Sequence, residues 1–309
     1  MMAMLKLFLL GIATTLTAQH TIPTFPLPKG RITTFQNGRF LSADYSHGIH
    51  AGFSVHDANG KQLFNDLVRI PNSTQVTIFS LTASPAGDIA VSGMAWDEAQ
   101  LTTPFLALYS NTLSLSRILR LPDFLPRTLI YSASGHLYAF GPERGSSGAW
   151  LASGHCLRIF HSDGAEQKRG LPRTSLCEHA TCFPFEDIPL AAAGPHEVAL
   201  YIPEVNRLYR FPNGSTEFTS LAGLPVWHRR SPKDMVASGP HTFLLQHTEQ
   251  ASPTTGITVF TAFDSAPSLR RLPAPASLTT SHRLIGSDAS RLLFARSSPR
   301  EFLWFPPIE

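Results

Sequence analysis

The sequence predicts an all-β chain of six repeated four-stranded units, and three observations carry that expectation. Beyond the opening residues no stretch keeps a helical period. Short runs rich in Val, Ile, Leu, Phe and Tyr alternate instead with Gly, Pro, Asn and Asp clusters, the pattern of successive strands and turns. One tight turn recurs as QNGRF, PAGDI, ASGHL, AGPHEV, SGPHTF and DASRL. The polar residue opening the strand after it is Arg39, Asp88, His136, His196, His241 or Arg291, at spacings of 49, 48, 60, 45 and 50 residues. A period of about 50 residues suits a propeller blade and exceeds most solenoid coils. Leu27-Pro28, Ile70-Pro71, Leu121-Pro122, Leu171-Pro172, Leu224-Pro225 and Leu272-Pro273 each close a short apolar run. The expected fold class is therefore an all-β, six-bladed β-propeller of four-stranded antiparallel blades.

In the first repeat, strands are expected at 32–35, 40–45, 52–56 and 62–70, with Asp57-Ala58-Asn59-Gly60 between the last two. An Asn-Gly pair between apolar runs is a strong hairpin signal. The second repeat reads as 76–82, 89–93, 105–109 and 113–121, and the third as 128–133, 137–140, 156–161 and 166–171. In the fourth, Pro212-Asn213-Gly214 turns between 208–211 and 217–221. The fifth gives 235–238, 243–247, 257–263 and 269–272; the sixth gives only 284–286, 292–295 and 301–305. Its missing outer strand is assigned to residues 21–27 of TIPTFPLP, which close the ring on the last blade. Proline is tolerated on such an outermost strand.

Composition bounds the function classes. The chain has 309 residues, 43% hydrophobic and 15% charged, with a net charge of +3, which argues against disorder. Its basic residues are scattered, so no nucleic-acid partner is expected. Residues 1–19, with Lys6 before an apolar run and small residues up to Ala18, read as a signal peptide. The run is too short to span a bilayer, so residues 20–309 are expected as one secreted or periplasmic domain with no membrane span. In an oxidising compartment Cys177 and Cys182 can staple a short loop, while Cys156 sits in a predicted strand; a pairing of Cys156 with either stays open. Two thiols four residues apart, without a second ligand pair, make a poor zinc site. No G-x-S-x-G, P-loop or H-E-x-x-H occurs, and no cofactor is implied.

The hairpins FSVHDANGKQLFNDL, LRIFHSDGAEQ and NRLYRFPNGSTEF resemble the outer hairpins of NHL-type blades, and SPAGDIAVSG and SASGHLYAFG resemble the inner ones. In plan the chain is similar to the TolB-like or NHL-like six-bladed propellers. It departs from NHL repeats in one respect: Ser92-Gly93 and Phe140-Gly141 stand where an acidic residue usually follows the second strand.

In such a ring the outer-to-inner and second-to-third loops share one face around the channel mouth, here 71–75, 94–104, 122–127, 141–154, 172–187, 225–234, 248–256 and 273–283. Ligand sites collect on loops carried by a rigid scaffold. The longest of these loops supply Glu143, Arg144, Trp150, Glu178, His179 and Asp187, and 225–234 adds Trp227, His228, Arg229 and Asp234. Aromatic rings beside Arg, His and carboxylates suit a contact surface for a protein or small-molecule ligand. The expected function is accordingly a binding scaffold. Resemblance to gluconolactonase-type propellers implies an alternative, a metal-dependent hydrolase with Asp187 and Asp234 as ligands and a neighbouring His or Glu as base. The residues opening the inner strands, Arg31, Gln75, Arg127, Asp187, Asp234 and Arg283, suit an anion better than a cation. His136, His196 and His241 occupy equivalent turns, which should hold them far apart around the ring.

Overall fold

Local turn chemistry sets the architecture. Asn37 (φ 49°) and Gly38 (φ 75°) both adopt the left-handed conformation, the signature of a two-residue hairpin turn whose twist matches its strands. The computed structural model describes residues 21–22, 33–44, 50–177, 185, 187–222, 231–250, 256–264, 269–275, 277–288, 290–297 and 300–308. Among them the one helical element is the 3-10 turn Arg173–Ser175. No helix among the described residues is long and apolar enough to cross a membrane.

A short strand β1 (Thr21–Ile22) comes first. Then follow β2 (Thr33–Gln36), β3 (Arg39–Asp44), β4 (Gly52–Asp57) and β5 (Gln62–Leu67). The second group is β6 (Gln75–Ala83), β7 (Ile89–Trp96), β8 (Thr102–Tyr109) and β9 (Leu115–Arg120); the third is β10 (Thr128–Tyr131), β11 (Leu137–Phe140), β12 (His155–Phe160) and β13 (Glu166–Pro172). The fourth is β14 (Leu190–Ala193), β15 (Glu197–Ile202), β16 (Arg207–Pro212) and β17 (Thr219–Ala222); the fifth is β18 (Ser231–Ala237), β19 (Phe243–Gln250), β20 (Gly256–Phe263) and β21 (Leu269–Pro273). Last come β22 (His282–Ser287), β23 (Leu292–Ser297) and β24 (Arg300–Phe305).

The second to fifth groups are each a four-stranded antiparallel sheet in chain order. The remaining strands follow the order β1-β24-β23-β22-β2-β3-β4-β5, in which β1 pairs antiparallel with β24, Thr21 opposite Leu303 and Ile22 opposite Phe302. A single parallel bridge, Phe35 to Gly286, joins β2 to β22. A Cβ on Gly286 would lie 2.3 Å from the Phe35 carbonyl oxygen, so this approach requires glycine. The first strands of the sheets pack side by side in the order β2, β6, β10, β14, β18, β22, and β22 returns to β2. The chain thus has a β-propeller fold.

Each sheet lies between two neighbours, so the apolar core is divided among their junctions. Leu41, Phe53, Ile78, Val91 and Phe105 fill the first; Phe35, Phe40, Leu293, Phe302 and Trp304 fill the one between β22 and β2. Central strands are buried on both faces, and β10 and β11 are buried at every position. Continuous apolar runs such as LYAF follow from that double burial. Outer strands such as β5 expose most of theirs.

Three loop expectations change: within 225–234, residues 231–234 belong to β18, where Asp234 pairs with Gln246 of β19. A loop is expected over 94–104, but β7 runs to Trp96 and β8 starts at Thr102, with Trp96 opposite Thr102. The turn shrinks to 97–101, where the Asp97 carboxylate accepts from the Leu101 amide at 2.9 Å. Likewise β19 runs to Gln250 and β20 begins at Gly256. In both cases the partner strand is long enough to extend the ladder into polar sequence.

The glycines that replace the NHL-type acid have a steric cause. A Cβ on Gly93 would stand 1.9 Å from the Thr77 carbonyl oxygen, and one on Gly141 would stand 1.8 Å from that of Leu125. Gly93→Ala should therefore destabilise the fold by about 3 kcal/mol, the upper end of overpacking costs. A thermal midpoint equal to that of the wild type would show that the strand can yield at this point.

Candidate functional site

Strand direction defines the two ends of the ring. The beginnings of the inner strands and the connections between second and third strands lie at one end, the loop face. The hairpin turns after the inner strands lie at the other, the turn face.

On the loop face, Glu143 is buried and engaged. One oxygen accepts from the His155 amide at 2.9 Å, and the other lies 3.1 Å from both the Arg158 and Arg169 guanidinium groups. Arg158, 2% exposed on β12, also binds Asp123 at 2.7 and 3.2 Å and Glu166 at 3.3 Å, and lies over the Phe124 ring. Asp123 precedes β10, so the network fastens loop 141–154 to the junction of the second and third sheets. The Arg158 hydrogen bond holds the Asp123 carboxyl below its usual range. Burial works to raise Glu143, yet the His155 amide and the two arginines outweigh it and leave it lowered.

Arg144 donates to the Gly148 carbonyl at 3.0 Å and bridges Trp150, whose side chain packs on the core beneath β12 and β16. These three candidates brace the loop. Asp187 donates its amide to the Glu204 carboxylate at 2.7 Å; burial and then the Asp187 charge push Glu204 upward. Arg127 lies over the Phe79 ring at 5.0 Å. Asp234 takes a bidentate bond from Arg283, at 2.8 and 3.1 Å. Of the cations at the strand openings, Arg127 and Arg283 are thus engaged with Phe79 and Asp234. Glu178, His179, Trp227, His228 and Arg229, together with Arg31, lie outside the described residues. Cys177 is disulfide-bonded and Cys156 is a buried free thiol, raised to about 12 by burial; Cys182 lies outside the described residues.

The loop face also carries side chains that sequence reasoning passed over. Leu101, Leu151, Ile188 and Ile257 are exposed at 66, 42, 53 and 43%. They are four of the six large apolar side chains exposed among the described residues. Each ends a connection or opens a strand at this end, next to polar residues that hide it from a periodicity search.

On the turn face the histidine expectation is corrected. The His196 and His241 rings stack at 5.3 Å, because β14 and β18 are neighbours and equivalent turns of adjacent sheets meet. His241 Nδ1 lies 3.2 Å from Glu197, which also forms a two-point pair with Arg210. A cavity of about 1130 Å³ opens between the turns, lined at the strand ends by Gln36, Ala83, Ser132, Ala193, Ala237 and Ser287. None of the described candidates from the sequence lines it. Among the described residues no group of three or more His, Cys, Asp or Glu is placed to hold a metal.

No family model and no curated protein matches the sequence. Among solved structures, an acylaminoacyl peptidase from Pyrococcus horikoshii matches with a TM-score of 0.52 and 12% identity over 88% of this chain. The chain spans 42% of that peptidase. A protein of unknown function from Dyadobacter fermentans matches with a TM-score of 0.55 and 12% identity, over 94% of this chain and 98% of its own. At such identities the likeness is one of fold.

Removing Arg158 leaves Asp123 and Glu143 with the half-exposed Arg169 alone, 3.8 and 3.1 Å away. Arg158→Met should cost about 3 kcal/mol, the lower end for breaking a buried pair because Asp123 is half-exposed. Both carboxyls are lowered, so their stabilisation is complete above the ordinary carboxylate range near pH ~4 and is lost as pH falls through the lowered values. Thermal midpoints at neutral pH and below pH ~4 should differ less in Arg158→Met than in the wild type. An equal difference would place the acid sensitivity elsewhere.

Proposed function

We propose that the chain is an exported six-bladed β-propeller, of the TolB-like or NHL-like plan, that serves as a ligand- or protein-binding scaffold through its loop face. The observation that carries the reading is the exposure of Leu101, Leu151, Ile188 and Ile257, one from each of four successive sheets, at that end. The braced loop 141–154 supports it, since a contact surface held by Arg158 loses little entropy on binding.

Six blades are supported by the cyclic packing of the inner strands, and closure by the pairing of Thr21 and Ile22 with β24. Export is supported by the leader-like residues 1–19 and by the disulfide at Cys177, a bond that persists in oxidising compartments. The metal-dependent hydrolase draws no support from the described residues, where Asp234 is bound by Arg283.

Combined Leu101→Glu, Leu151→Glu and Ile188→Glu should abolish retention of a partner from an envelope or secreted extract while the thermal midpoint changes little. Undiminished retention would remove the loop face from the reading. Separately, deleting residues 20–28 should lower the midpoint of the whole domain by several degrees; an unchanged value would mean that the last blade closes without this strand.

A further inference from the structure

The turn-face cavity is independent of the loop face and has a chemistry of its own. Its size, about 1130 Å³, is ample against the roughly 300–1,000 Å³ of pockets that hold small molecules. Residues 191–195 and 235–240 line it consecutively. A strand presenting a side-chain face would contribute every second residue; consecutive ones mean that a main-chain edge, with its N–H and C=O groups, borders the space. Small residues at these positions, Ala193, Gly194, Ala237, Ser238 and Gly239, leave accessible the part of that edge not already bonded, the Ala237 carbonyl being taken by Ser287.

The wall is also without net charge. Among its described residues the charged side chains are Asp288 and Arg291, which bind each other at 2.7 and 3.1 Å, with Arg291 lying over Trp304 at 4.4 Å. A charged molecule entering here would give up hydration and gain no counter-ion, whereas hydroxyl and amide groups would meet donors and acceptors alike. We infer that the cavity binds an uncharged small molecule that both donates and accepts hydrogen bonds, of the sugar or amide kind.

The probe is N-acetylglucosamine, which carries hydroxyls and one amide without charge; glucosamine and glucuronate are its cationic and anionic counterparts. Met235 lines the cavity, and Met94 on β7 does not, so methyl NMR of 13C-methionine protein reports the site with an internal control. N-acetylglucosamine should shift the Met235 methyl saturably, leave Met94 in place, and bind at least about tenfold more tightly than either charged sugar. Ser238→Trp should suppress the shift by narrowing the mouth. Asn59→Trp, on the exposed turn between β4 and β5, does the same without touching an inner strand, and serves if the first variant fails to fold. An unmoved Met235 methyl, equal shifts with the charged sugars, or a shift that persists in both folded variants would overturn the assignment. None of these outcomes bears on partner retention by the loop face.

Discussion

The inner edge of each sheet is the constraint on which the rest of the structure depends. A strand at a sheet edge presents N–H and C=O groups that must find partners, and among the described inner strands the one bridge to another is Phe35 to Gly286. Short polar side chains make up the difference. Thr34 donates to the Ile285 carbonyl, Asn37 to that of Ala83, Thr128 to that of Pro189 and Ser287 to that of Ala237. Ser80 and Thr82 accept from the amides of Leu129 and Tyr131. Gln246 does both, accepting from the Leu284 amide and donating to the His282 carbonyl at 2.6 Å each. Every junction of sheets named here is therefore specified by hydrogen bonds as well as by packing, which fixes the rotation of one sheet against the next.

That solution shapes the channel. Side chains that reach sideways to a neighbour are short, and short side chains near the ends of the inner strands leave room between the turns. The cavity is thus a by-product of how the edges are satisfied. Longer residues at Ala193 or Ala237 would crowd the sheet junctions on which these alanines pack.

Much of this architecture is legible in the sequence because it rests on local chemistry. The hairpin turns declare themselves through residues that tolerate positive φ, such as Asn37-Gly38, and the strands through apolar runs between them. Strand ends at 94–104 were not legible, since extension there depends on a partner strand and not on the residues' own preference. The ion network was hidden for a related reason: Asp123 and Arg158 are 35 residues apart and meet only in the folded chain. One signal could have found it. Arg158 stands inside HCLRIF and Arg210 inside RLYRFP, each a cation with apolar neighbours on both sides in a strand. A charge in such a position must be paired or the strand cannot be buried, so Glu143 could have been read as a buried partner instead of a surface contact.

Pairing these arginines constrains function as well as stability. Arg158 fastens the 141–154 loop, and Arg210, bound to Glu197 and to the carbonyls of His241 and Asp264, fastens the junction of the fourth and fifth sheets at the opposite end. Loops that would otherwise sample many conformations are thereby held to the scaffold at both faces. A surface so held gives up adaptability, and a partner must fit it as it stands. Leu151, exposed on the loop that Arg158 fastens, is consequently a fixed feature of the loop face.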